Sequence, residues 1–160
     1  MKIRTDFVTN SSSSSFILGF SSEENITKEL IDGFPSWAMD SAGIVLKDSL
    51  SHERITKEEV LNEIEEYLEW NEKYVIAYNL QSQHGGWSKA ISYLETTEEG
   101  KKLVADRIQK KMNEYRQKVD RNNVFVELEY SDNECGDGHP GLEFDVMPNV
   151  KSVVCTFNNH

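Results

Sequence analysis

The sequence predicts an α+β domain: an antiparallel sheet, made of N-terminal strands and a C-terminal three-strand meander, covered on one face by two main helices. Three observations point there. The chain of 160 residues is 38% hydrophobic and 10% aromatic, enough large side chains to offset ordering entropy in one domain spanning 1–160. Two capping boxes, Thr56-Lys57-Glu58-Glu59 and Thr96-Thr97-Glu98-Glu99, open helical repeats in the middle of the chain. Val124, Val126, Leu128 and Tyr130, and again Leu142, Phe144 and Val146, are apolar residues at every second position, the spacing of half-buried strands.

The elements follow in order. Residues 3–20 read as strand, polar turn, strand: Phe7 and Val8 lead into Thr9-Asn10 and the serines Ser11 to Ser15, and the run Phe16-Ile17-Leu18-Gly19-Phe20 follows. Serine competes locally for backbone hydrogen bonds, so the serine run favours a loop. Thr27 is placed to cap a short helix that Gly33 ends before Pro35. Phe34 to Leu50 shows no clear period, although Trp37, Met39, Ile44, Val45 and Leu46 call for burial. At Thr56 the capping box is flanked by Ile55 and Val60 as a hydrophobic staple. Val60, Leu61, Ile64, Tyr67 and Leu68 then repeat at helical spacing to about Trp70, with Glu58, Glu63, Glu66 and Glu69 opposite. Tyr74 to Tyr78, apolar and partly β-branched, reads as a buried strand, and Gln81 to Gly86 as a polar loop.

Trp87, Ala90, Ile91 and Leu94 suggest a short helix before the longest one, over 97–119, whose stripe is Val104, Ile108, Met112, Tyr115 and Val119. Val124, Val126, Leu128 and Tyr130, then Leu142, Phe144 and Val146, then Lys151 to Phe157 give three strands with short links, hence the meander. Glu127, Glu129, Glu143 and Asp145 share the outward parity. Carboxylates so placed either do acid–base work or solubilise the open face of a sheet.

Charge narrows the partners. The formal net charge is −11, from 28 acidic against 17 basic residues. Such a chain repels phosphate, so direct nucleic-acid binding is not expected, and a basic protein partner is. The two cysteines, Cys135 and Cys155, lack a Cys-x-x-Cys spacing, which fits a reducing compartment. Lys2 and Arg4 are followed by Asp6, and the apolar run at Phe16 falls short of the roughly 7–15 residues of a signal sequence. No stretch is long and apolar enough for a membrane span. A cytoplasmic location is the expectation.

The densest polar cluster is the segment Ser131 to Gly141. Asp132, Glu134, Cys135, Asp137 and His139 there are candidate ligands for a divalent metal. An EF-hand loop is excluded: starting at Asp132 puts Asp137 where the turn glycine belongs, and starting at Asn133 puts Phe144 at the twelfth position. Zinc needs three or four convergent ligands, and the competing reading is a polar hairpin loop with glycines for positive φ. A catalytic thiolate at Cys135 is disfavoured by the acidic surroundings. No G-x-S-x-G, P-loop or G-x-G-x-x-G is present. His84-Gly85-Gly86-Trp87 either lets a backbone approach a ligand or permits a turn with Trp87 in the core.

The opening Asp6-Phe7-Val8-Thr9-Asn10-Ser11-Ser12-Ser13-Ser14-Ser15-Phe16-Ile17 resembles an N-terminal motif, FVTNSSSSSF, of uncharacterised bacterial and phage proteins. Tyr130-Ser131-Asp132-Asn133 with Gly136-Asp137-Gly138 and Met147-Pro148 resembles a C-terminal segment of some of them. The resemblance implies no activity, fold or ligand. It sharpens one expectation: residues 1–20 hold a recognition or modification segment, with Asn10, Ser11, Ser12, Ser13, Ser14 and Ser15 as its site, set against a low-complexity turn pinned by Phe7 and Phe16. With no catalytic signature, the expected function is a non-enzymatic protein-interaction module of bacterial or phage origin. The alternative is a metal-binding domain or metal-dependent enzyme using residues 132–139, and only there is a cofactor, a divalent metal, expected.

Overall fold

The structure is a computed structural model that describes residues 13–131 and 141–158. The chain divides into two compact units, one of residues 1–54 with 124–160 and one of residues 55–123. The coarse class is α+β, with a four-stranded antiparallel sheet.

The first unit is organised by β1 (Ser13–Phe20). Its apolar run lacks the alternation of a half-exposed strand, and every residue from Ser14 to Phe20 is buried. It pairs antiparallel on one side with β3 (Val124–Ser131), setting Ser14 opposite Tyr130 and Phe16 opposite Leu128. On the other side it pairs antiparallel with β4 (Val153–Asn158), with a register shift between Ile17 and Leu18. With the two-residue β2 (Arg54–Ile55) the sheet order is β2-β3-β1-β4.

One sheet face, carrying Phe16, Leu18, Phe20, Val126, Leu128 and Tyr130, forms a single core with residues from three segments. Ile26 and Leu30 come from α1 (Ile26–Gly33), and Ala42 and Val45 from α2 (Met39–Ser51). Leu142, Val146, Met147 and Val150 come from the segment before β4. α2 occupies the stretch whose period was unreadable. Its buried side is Ser41, Ala42, Val45 and Ser49, mostly small residues whose helical spacing is masked by apolar residues on the exposed side. Tyr130 Oη donates to Asp48 Oδ2 at 3.1 Å, tying α2 to β3. At the C-terminus of α2, Arg54 Nη1 donates to the carbonyls of Ser49 (2.8 Å) and His52 (2.7 Å). The same guanidinium grips Glu23 through two bonds, of 2.7 and 3.0 Å.

The expected meander does not form, because Leu142–Val146 is one π-helical turn followed by a 3-10 turn at Met147–Asn149. Gly141, at φ 95°, starts it by accepting from Asp145 N (2.6 Å) and Val146 N (3.1 Å). The buried residues there are Leu142, Glu143, Val146 and Met147, a helical spacing, while Phe144 is exposed. A five-residue run fits both periods, and here the helical one prevails over the strand expected from sequence. β1, from the N-terminal part of the chain, fills the place between β3 and β4. The outward parity expected for Glu143 fails with the strand.

The second unit consists of α3 (Lys57–His84), α4 (Trp87–Thr96) and α5 (Glu98–Val119). The Thr56 capping box is present: Thr56 N donates to Glu59 Oε2 at 2.8 Å, and Glu59 N to Thr56 Oγ1 at 3.2 Å. α3 continues well past Trp70, so Tyr74 to Tyr78 is helix and not strand. Leu68, Glu72, Ile76 and Ala77 extend its buried stripe, and that tertiary periodicity overrides local β-propensity. Buried Glu72 accepts a hydrogen bond from Arg107 Nε of α5, and Lys73 Nζ reaches Glu95 of α4 at 2.8 Å. The helix ends at Gly85, in the left-handed region at φ 75°. α5 begins one residue later than the second box proposed: Thr97 Oγ1 accepts from Gly100 N at 3.0 Å.

A Cβ at Gly100 would lie 2.4 Å from the Tyr93 carbonyl oxygen and 2.7 Å from Leu94 Cα, both of α4. Gly100→Ala therefore destabilises the protein by about 1–3 kcal/mol, the usual cost of overpacking. A urea midpoint equal to that of the wild type contradicts the close α4–α5 approach.

The Arg54 hydrogen bond, more than its charge, holds the Glu23 carboxyl below the ordinary glutamate range. A carboxylate with a folded pKa below its unfolded value adds stability above the unfolded pKa and loses it as pH falls through the folded one. In Arg54→Met, a carbon-13 NMR titration should find the Glu23 midpoint moved up toward the ordinary glutamate value. An unmoved midpoint contradicts the pairing.

Candidate interaction surface

Trp70, Tyr74 and Tyr78 stand at intervals of one helical turn along one face of α3. Trp70 is 52% exposed and Tyr78 67%. The Gly85–Gly86 turn, both residues at positive φ, reverses the chain so that α4 opens with Trp87. The Trp87 ring stacks on Tyr74, centroids 5.9 Å apart and planes 14° from parallel, and remains 40% exposed. Trp70 meets the Tyr74 ring at 5.1 Å. Lys73 Nζ lies 5.5 Å from the Tyr74 centroid, a cation–π distance. Below the turn His84 stacks on Tyr93 at 4.4 Å.

The strip continues into negative charge. Glu66 lies one turn before Trp70 on the same face, and both it and Glu69 are exposed. From Lys57 to Glu72 the acidic residues are Glu58, Glu59, Glu63, Glu65, Glu66, Glu69 and Glu72, against Lys57 alone. Glu59 is held below the usual carboxylate range, chiefly by the hydrogen bond from the Thr56 backbone N–H, so it stays ionised at neutral pH. Contiguous exposed aromatics are unusual on a surface meant only for water, and Trp and Tyr dominate the energetic centres of protein interfaces. Chemically the strip offers ring faces for apolar or cationic groups and carboxylates for ammonium or guanidinium groups.

Asn10, Ser11 and Ser12 lie outside the described residues, as do Asp132, Glu134, Cys135, Asp137 and His139. Among the described residues no group of three or more His, Cys, Asp or Glu side chains is placed to hold a metal ion. Ser13 opens β1 as strand rather than loop. Ser14 and Ser15 are buried in that strand, so in the folded chain neither hydroxyl is open to a modifying enzyme. Ser14 Oγ donates to Oε1 of buried Glu143, and Glu143 Oε2 has no hydrogen-bond partner among the described residues. That pair fastens the π-helical turn to β1. Cys155 is buried in β4. The His84–Trp87 segment ends a helix instead of a strand, and its tryptophan is on the surface rather than in the core.

The strand expected over Tyr74 to Tyr78 hides the aromatic strip in the sequence. At a period of 3.6 the same residues put Trp70, Tyr74 and Tyr78 on one face, and that signal was available. No helix among the described residues is long and apolar enough to cross a membrane. The chain matches no protein-family model, no curated protein and no solved structure.

Proposed function

We propose that the protein is a non-enzymatic protein-interaction module that docks a basic, partly apolar segment of another protein on the surface of α3 and α4. The observation that carries this reading is the strip in which exposed Trp70 and Trp87 both pack on the half-buried Tyr74 ring, extended by exposed Tyr78. Rings already held against one another lose little side-chain entropy on binding, so contact with a partner is not offset by ordering them. The carboxylates at Glu66 and Glu69 favour a cationic partner and disfavour nucleic acid. The likeness of the opening motif to bacterial and phage proteins suggests the setting. Recognition of the serine run falls to Asn10 and the serines before Ser14 in this reading, because Ser14 and Ser15 are enclosed.

The test is affinity capture from the native host with wild-type protein and with Trp70→Ala as parallel baits, followed by titration of the retained partner. Hot-spot truncation costs about 2 kcal/mol or more, so the variant should bind about 30-fold more weakly. Glu66→Lys should slow association and reduce its salt dependence. Equal affinity of the wild type and Trp70→Ala for every retained protein overturns the reading.

A further inference from the structure

The first unit presents a different exposed face, on α2. Opposite the buried Ser41, Ala42, Val45 and Ser49 lie Asp40, Gly43, Ile44, Lys47 and Leu50, all exposed. Their spacing keeps them on one side of the helix. Trp37 stands one turn ahead, in the 3-10 turn Ser36–Ala38. Trp37 is 62% exposed and Leu50 52%. These are large apolar side chains left in water on a helix whose other side is already committed to the core.

We propose that this face is the contact surface of a two-fold symmetric homodimer, in which α2 crosses α2 of a second copy in antiparallel sense about the midpoint between Gly43 and Ile44. Two independent features of the sequence on this face specify a second copy of the chain rather than an arbitrary apolar partner.

The first is Gly43. Glycine inside a helix is destabilising relative to alanine, and a Cβ at Gly43 would meet nothing within 4 Å. Among the described residues nothing calls for the missing side chain. A second helix crossing at that point does, because glycine lets two backbones approach closely.

The second feature is the order of charges. Asp40 and Lys47 stand equally far to either side of the Gly43–Ile44 midpoint. A two-fold axis there sets Asp40 of each copy against Lys47 of the other, giving the same ion pair twice, as an isologous interface requires. Trp37 and Leu50 are equally far in sequence from that midpoint, so the Trp37 end of one helix meets the Leu50 end of the other. Gly43 then receives Ile44 of the second copy. A parallel arrangement brings Asp40 to Asp40 and Lys47 to Lys47, which like-charge repulsion opposes. The face is neutral in sum, unlike the chain at −11, so contact there adds no local repulsion to the long-range one. One helix face offers less than the roughly 800 Å² per partner of a standard interface, so the dimer is a weak, reversible one.

The experiment is sedimentation equilibrium of the full chain at physiological salt, up to high micromolar concentration. The wild type should pass reversibly from monomer to dimer. Asp40→Lys and Lys47→Asp, each alone, should weaken dimerisation about tenfold or more, since each puts like charges in contact at both pairs. An equimolar mixture of those two variants should form a heterodimer, and Asp40→Lys combined with Lys47→Asp in one chain should dimerise again. Gly43→Leu should remain helical by circular dichroism, given the open space at Gly43, and stay monomeric. Trp70→Ala should dimerise like the wild type, which separates this face from the α3–α4 strip. A wild type that is monomeric throughout overturns the proposal. So do single charge variants that dimerise unchanged, a mixture that yields no heterodimer, or dimerisation lost in Trp70→Ala.

Discussion

From Ser14 to Phe20 no residue of β1 reaches solvent, and a strand buried on both faces has to find every backbone partner within the protein. β1 finds them in β3 and β4, strands drawn from far along the chain. The first unit depends on this arrangement. Once β1 lies between β3 and β4, its Phe16, Leu18 and Phe20 face supplies the floor on which α1, α2 and the turns before β4 assemble. Burial also imposes a condition on polar residues in the strand. Ser14 meets it by donating to Glu143, and the acceptor is itself carried by the turn that covers the sheet. Part of the serine run is therefore structural: its last residues are strand in the middle of a sheet, and the Ser14 hydroxyl is matched by Glu143.

The second unit works by a different logic. Three consecutive helices need no distant strand pairing, and their local signals are strong. A capping box starts α3, glycines in the left-handed region end it, and the absence of a side chain at Gly100 lets α5 start against α4. The contact of buried Glu72 with Arg107 and the Lys73–Glu95 pair tie the three helices together. The turn between α3 and α4 also puts Trp87 back onto Tyr74, so the device that closes the helical hairpin also assembles the surface proposed for binding.

What could be read from the sequence follows from range. Thr56 with Glu59, the stripe ending at Met112 and Val119, the alternation of β3 and the run at Phe16 are local patterns, and each marks a real element. Tyr74 to Tyr78 and Leu142 to Val146 are short apolar runs that fit two periods, and only their surroundings decide between them. The strand order was not legible, because nothing near Phe16 says which strands will flank it. Of the sites, the aromatic strip was hidden behind the strand assignment, and the α2 face behind a stretch whose apolar residues fall on both sides of the helix. Gly43 carries meaning only once the space around it is known.

Hydrogen–deuterium exchange along β1 tests the account most directly, because it asks whether the serine run belongs to the sheet or stands free of it. Amides engaged between two strands open only in large-scale unfolding. The account predicts that Ser15 to Phe20 are among the slowest-exchanging amides of the protein, with protection beginning inside the serine run. Exchange at Ser14, Ser15 and Phe16 as fast as at the exposed Gly85–Gly86 turn would contradict it, and would return the whole run to the role of a free recognition segment.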